Sequence, residues 1–150
     1  MTKQDKIIYR FASKEDADQI YDFAMKAMVG TSLPEFAKDA GEGLQDRIID
    51  GDPNNILLAI DQDQGNIIAY VEVEKSYSPK INAFYIRGIY VLPDYRRIGV
   101  GRKLLSIIKK EKCTSHEELR VNAFTTDGLR FWEAYGFKVH HYSLFYDHKG

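Results

Sequence analysis

Between Ile81 and Phe124 the chain passes from a long apolar run (INAFYIRGIYV) through a loop with paired glycines into an amphipathic stretch, and then into a second apolar run (ELRVNAF). A strand, a helix and a strand in that order form a crossover unit, so the two strands are expected to lie parallel in one sheet with a right-handed connection. The helix is set by Val100, Leu104, Leu105, Ile107 and Ile108, which recur at helical period and leave the basic residues outside. In sheets of this kind ligands gather at the carboxyl ends of parallel strands, which directs attention to the loop from Leu92 to Val100.

The remaining segments fit around that unit. Ile7–Phe11 (IIYRF) reads as a strand, and Ser13 followed three residues on by Asp16 resembles a capping box. Ala17, Ile20, Ala24, Ala27 and Met28 then mark a helix up to Gly30. A second helix runs from about Pro34 to Ile49, with Gly41 and Gly43 interrupting it, and is expected to be mobile. Asn55–Asp61 and Ile67–Lys75 form a hairpin about the turn Gln62–Asn66, a further turn at Ser76–Lys80 leads into the long strand, and Gly88 marks a bulge or bend in it. Asp127–Tyr135 reads as a helix and Lys138–Asp147 as a final strand. The order β-α-α-β-β-β-α-β-α-β implies one α/β domain over residues 1–150, with a mixed sheet whose early hairpins are antiparallel.

Composition narrows the functions. The 150 residues suit one domain with a sizeable core, and 21 Lys+Arg against 22 Asp+Glu leave a net charge of −1, which argues against a general nucleic-acid binder. No stretch approaches a membrane span and the opening lacks a signal-peptide pattern. The single Cys113 has no internal disulfide partner, so a cytoplasmic protein without membrane association is expected. No Cys/His set has zinc spacing, and His140 and His141, adjacent on the expected final strand, would face opposite sides, so no metal is expected. A homodimer stays open.

The loop carries the chemistry. Arg96, Arg97, Arg102 and Lys103 fall within eight residues, and the last two stand in the first turn of a helix, where the macrodipole favours anions over cations. Gly99 and Gly101 permit close backbone approach, so the N–H groups at the helix start can face a diphosphate. Neither a P-loop nor a dinucleotide fingerprint is present. The order strand, Val91-x-Pro93-x-Tyr95-Arg96-Arg97-x-Gly99-x-Gly101, helix resembles the acyl-CoA loop of the GNAT N-acetyltransferase superfamily. Phe131-Trp132-Glu133-Ala134-Tyr135-Gly136-Phe137 is similar to that superfamily's F-Y-x-x-x-G-F helix end.

The resemblance implies a GNAT-like α/β (α+β) fold: a mixed, mostly antiparallel sheet flanked by helices, with a splayed parallel pair around the acyl-CoA site. It implies acetyl-CoA as cosubstrate and transfer of its acetyl group to a primary amine of a small molecule or peptide. The pantetheine arm would add to Ile89, Tyr90 and Val91 as a peptide adds to a strand edge, and the diphosphate would meet Arg96, Arg97, Ile98, Gly99, Val100, Gly101 and Arg102. Asn122 resembles the family's cofactor-contacting asparagine, or else is a strand-end residue capping a turn. Many relatives carry a carboxylate on the strand before the loop, where this sequence has none. Glu72, which shares a strand face with Tyr70 and Glu74, is the candidate base, unless these acids pair across strands with Arg87 or face solvent. Trp132 occupies the usual tyrosine position, which leaves Tyr135 as the candidate acid. A GNAT-fold module that binds an acyl-CoA with little or no turnover is the alternative.

Overall fold

The computed structural model describes residues 2–28, 34–144 and 146–147, with main chain alone for residues 28 and 34–37. Five strands, β1 (Ile7–Phe11), β2 (Ile56–Asp61), β3 (Ile67–Lys75), β4 (Ala83–Val91) and β5 (Glu118–Val121), form one sheet in sequence order. The first three junctions are antiparallel and the last, β4 with β5, is parallel.

Helices α1 (Ala17–Met28) and α2 (Pro34–Ile49) cover one face, where Ile20, Phe23, Leu44 and Ile48 pack on Ile56, Leu58 and Tyr70. On the other face α3 (Val100–Lys112) buries Val100, Leu104, Leu105 and Ile108 against Leu57, Ala59, Val71 and Ile86. Trp132 of α4 (Thr126–Ala134) joins that second cluster, with Tyr135 and Phe137 just beyond the helix. Strand β2 and most of β3 are thus apolar on both faces, which is why their sequences run as continuous hydrophobic segments instead of alternating. Each aliphatic side chain so enclosed contributes about 1.5–3 kcal/mol.

The expected capping box forms. The Ser13 N–H and hydroxyl both donate to one Asp16 oxygen (2.7 and 3.3 Å), and Arg10 donates to both carboxylate oxygens at 2.8 Å. Chiefly through Arg10, the Asp16 carboxyl is held below its ordinary range. The helix end expected at Gly30 lies outside the described residues. Gly41 and Gly43 do not interrupt α2, which runs unbroken. A Cβ on Gly41 would stand 3.1 Å from the Tyr21 ring, so this glycine serves close approach of α2 to α1.

The C-terminal expectation needs correcting. Residues 138–144 and 146–147 form no strand, and Tyr142, Leu144 and Tyr146 are about 80–92% exposed. Alternation marks which side chains could share a face, but a strand also needs a neighbour to take its main-chain hydrogen bonds. His140 and His141 therefore do not face opposite sides; their Nδ1 atoms lie 3.1 Å apart. Likewise β5 stops at Val121, three residues before the expected Phe124.

Candidate active site

The site begins where β4 and β5 part. The parallel ladder runs from Ala83–Glu118 to Ile86–Val121 and ends there, although β4 continues to Val91 along β3. The register of β3 and β4 slips at the same point: Glu72 faces Gly88 and Val73 faces Ile86, leaving Arg87 as the extra residue of a bulge. The expected bend is thus at Arg87–Gly88. Beyond it the Leu92 N–H donates to the Ile68 carbonyl, so by alternation Tyr90 also turns its main chain toward β3. Ile89 and Val91 turn theirs to the open side. The Val91 carbonyl accepts there from Arg96 Nε at 2.9 Å. Tyr90 instead contributes its ring, edge-on to Phe23 and 5.4 Å from the Arg96 guanidinium, while its hydroxyl donates to the Ala27 carbonyl. Asn122 follows the last ladder pair directly and is exposed at the mouth of the split.

At the end of the open segment the chain makes a 3-10 turn, Pro93–Tyr95, and enters two left-handed positions: Arg97 at φ 65° and Gly99 at φ 92°. A non-glycine residue held there stores strain that the surrounding contacts must offset. Gly99 is the N-cap of α3, so no side chain caps the helix, and no acid stands in its first turn. Lys103 N–H donates back to the Gly99 carbonyl, whereas the N–H groups of Val100, Gly101 and Arg102 precede the intrahelical ladder. Uncapped donors at a helix start, with Arg96, Arg97 and Lys103 exposed around them, suit a diphosphate.

Arg102 has a further partner. It donates to the Ala134 carbonyl at 3.1 Å, at the C-terminal end of α4, and lies 5.4 Å from the Tyr135 ring centre. A cation there complements the α4 dipole, which accounts for a basic residue in the first turn of α3. Tyr135 covers that turn so closely that a Cβ on Gly101 would stand 2.5 Å from its hydroxyl oxygen. Trp132, one turn earlier, is half-buried, edge-on to Phe131 and Phe137.

Glu72 is buried at 4% exposure on the α1/α2 side of the split. Its Oε2 accepts from Arg47 Nε at 2.5 Å and its Oε1 from Arg47 Nη2 at 2.9 Å, with Arg87 Nε at 3.9 Å from Oε1. Glu74 pairs with Arg87 at 2.7 Å. Both acids are thus spoken for by arginines, one of them the cross-strand partner expected. The Tyr70 hydroxyl lies beside Gly88, and burial, more than its neighbour Glu72, pushes its phenol up to about 12. Burial also raises the Cys113 thiol, which disfavours the nucleophilic thiolate.

Several site residues carry no sequence signal. Arg47 comes from α2, and the loop is tied from afar: Lys3 Nζ donates to the Asp94 carbonyl (2.6 Å), Gln4 Nε2 to the Ile98 carbonyl (2.9 Å) and the Tyr95 hydroxyl to Asp61 (2.5 Å). Among the described residues no three His, Cys, Asp or Glu side chains gather as a metal site, and no helix is long and apolar enough to cross a membrane.

Comparison with known proteins agrees with this geometry. Residues 52–139 match the family model described as an acetyltransferase (GNAT) domain. Among solved structures, a possible acetyltransferase from Clostridium difficile 630 superposes with a TM-score of 0.67 at 17% identity, covering 94% of this chain and 96% of that one. The PaiA N-acetyltransferase from Thermoplasma acidophilum, solved in complex with coenzyme A, gives 0.67 at 21% identity over 91% and 92%. The aminoglycoside N-acetyltransferase AAC(6')-Iy, solved in complex with CoA, gives 0.64 at 17% over 96% and 95%. A search of curated protein sequences found no match. With the family model spanning more than half its length and the split parallel pair in place, the chain belongs to the GNAT acetyltransferase family.

Proposed function

We propose that this protein transfers the acetyl group of acetyl-CoA to a primary amine of a small molecule or peptide. The observation that carries the reading is the conjunction of an open-sided strand, Ile89–Val91, with an uncapped helix start a few residues on. Solved relatives in complex with CoA and an aminoglycoside N-acetyltransferase among them support the donor and the class of acceptor. We further propose a single domain over residues 1–150 and a cytoplasmic location.

Acetyl-CoA supplies an activated thioester. Around it, Ile89 and Val91 offer main-chain groups to the amides of the arm, and the N–H groups of Val100 to Arg102 receive the diphosphate between Arg96, Arg97 and Lys103. Asn122 closes the opposite side of the split. An N–H on the open edge near Val91 polarises the thioester carbonyl. The amine nitrogen attacks the carbonyl carbon, the C–S bond breaks, and CoA departs as thiolate while the nitrogen loses its proton. Glu72 stands at the split, yet with both oxygens accepting from Arg47 it holds structure more readily than it takes a proton; water then removes the proton. Tyr135 reaches the helix start and serves the diphosphate end, and a thiol with an ordinary value near ~8.5 leaves without an acid.

The experiment is release of CoA thiol on incubating the protein with acetyl-CoA and a panel of primary amines, beside calorimetric titration with CoA. Binding with amine-dependent release supports the reading. Binding without release from any amine favours the second reading, an acyl-CoA-binding module, for which the occupied Glu72 oxygens speak. A related expectation concerns Trp132. Because indole releases no proton near neutrality, Trp132→Phe should lower kcat by less than ~10², the lower bound of general-acid catalysis. A loss near ~10³ in a variant that still folds and binds acetyl-CoA would make Trp132 essential to the chemistry.

A further inference from the structure

The N-terminal turn, Gln4–Lys6, precedes β1 and lies against the proposed diphosphate loop, where Gln4 lines a cavity with Gly99, Arg102 and Lys103. Its Gln4 side chain is half-buried and uses both ends of its amide. Nε2 donates to the Ile98 carbonyl at 2.9 Å, and Oε1 accepts from the Tyr9 hydroxyl at 2.5 Å. Burial raises the Tyr9 phenol, which keeps the hydroxyl protonated as the donor. Gln4 Nε2 is also the nearest atom to a Cβ on Gly99, 3.4 Å away. Lys3 adds a parallel tie from its ammonium to the Asp94 carbonyl, and stands 4.2 Å over the Tyr95 ring.

These contacts decide which way one peptide plane faces. In a trans peptide the carbonyl of one residue and the N–H of the next point in opposite directions. With the Ile98 carbonyl turned to Gln4, the Gly99 N–H of the same peptide is aimed away from the N-terminal turn. Left-handed positions flank Ile98, Arg97 before it and Gly99 after it, and a non-glycine residue held so keeps its conformation only where surrounding contacts over-determine it. The Ile98 carbonyl is held by a side chain more than ninety positions earlier in the sequence.

We infer that Gln4, braced by Tyr9, is a positioning residue for acyl-CoA: it locks the Ile98–Gly99 peptide with its N–H toward the diphosphate, and so sets donor affinity without touching the donor's reactive end. The inference rests on the acetyl-CoA reading given above. A glutamine suits the task because it donates to the carbonyl and accepts from the phenol at once. Leucine does neither, and glutamate would replace the Nε2 donor by a carboxylate oxygen facing the Ile98 carbonyl oxygen, two acceptors opposed.

The test compares two acetyl donors, acetyl-CoA and S-acetyl-pantetheine, which ends before the diphosphate, in wild type, Gln4→Leu and the milder Tyr9→Phe. Gln4→Leu is expected to raise KM for acetyl-CoA about tenfold, as for one lost hydrogen bond, with kcat within about twofold and S-acetyl-pantetheine kinetics unchanged. Tyr9→Phe should raise the same KM about threefold. Equal losses with both donors would reduce Gln4 to a general stabiliser and overturn the inference. So would an unchanged KM for acetyl-CoA in both variants. Calorimetry of wild type with CoA separates the two levels: if wild type fails to bind CoA, the acetyl-CoA reading falls and this inference with it, whereas binding with indifferent variants overturns this inference alone.

Discussion

Gly101→Val is expected to lower the affinity for CoA by about a hundredfold or more, close to 3 kcal/mol. The first atom of any side chain at this position would stand 2.5 Å from the Tyr135 hydroxyl oxygen and 3.2 Å from Cζ, and the ring has little room to retreat. Phe131 meets it at 5.1 Å between ring centres, Trp132 at 6.4 Å, and Arg102 lies over it. Overpacking of this kind costs about 1–3 kcal/mol by itself, and the valine methyls would also crowd N–H donors that an anion needs. Calorimetric titration with CoA checks the loss, with thermal unfolding as a control for the fold. Gly101→Ala combined with Tyr135→Phe should regain part of the affinity, since the closest oxygen is gone. Wild-type affinity in Gly101→Val would remove the diphosphate from this helix start.

The second large effect falls on stability. Glu72→Gln should lower the unfolding free energy by about 2–3 kcal/mol, because Arg47 and Arg87 lose the one buried carboxylate they share. The figure stands below the usual cost of breaking a buried pair because the two arginines are 36% and 43% exposed. For a chain of this length it corresponds to roughly 5–10 °C in Tm. Replacing Arg47 and Glu72 together by leucine should restore much of the loss, as exchanging a whole buried pair for apolar groups commonly does. If Glu72 ties α2 to the sheet, kcat/KM of Glu72→Gln, measured well below its Tm, falls by less than ~10². A larger fall with Tm unchanged would return Glu72 to the role of proton acceptor.

The parts of the fold legible in the sequence were those governed by local pattern. β1, β3, α2 and α3 fall on the residues that periodicity and capping signals mark, because each element's apolar face is written within its own few turns. The turn from β4 into α3 was legible for the same reason, its glycines and cations being contiguous, and its holding a diphosphate is the proposal made above. What failed was information about neighbours. Lys138–Asp147 is rich in β-branched and aromatic residues as a strand often is, yet no local signal says whether an edge exists to receive it. Gly41 reads as a helix breaker until Tyr21 of another helix is brought against it. Glu72 shares a face with Tyr70 as alternation requires, but its two oxygens are claimed by an arginine on α2, and only the tertiary fold reveals that. The ties from Lys3 and Gln4 to the loop belong to the same class.

The bond from the Tyr95 hydroxyl to Asp61 carries a consequence for how activity should vary with pH. The hydrogen bond from Tyr95 lowers the Asp61 carboxyl beneath its ordinary 3.8, and the same bond pushes the Tyr95 phenol from 10.0 up to about 12. A depressed carboxylate contributes fully above its unfolded value and fails only in acid; a raised phenol contributes fully below its unfolded value and fails only as pH climbs through the raised one. The tie is therefore complete across neutrality. Above the second ionisation of a phosphate monoester, near pH 6, the charge of acetyl-CoA, whose thioester sulfur carries no proton, is also constant, so affinity for acetyl-CoA should be flat within about twofold between about pH 7 and pH 9. A titration in that interval shows whether another ionising group has entered the tether, and where affinity stays level, any slope in turnover reports the acceptor nitrogen and the departing sulfur.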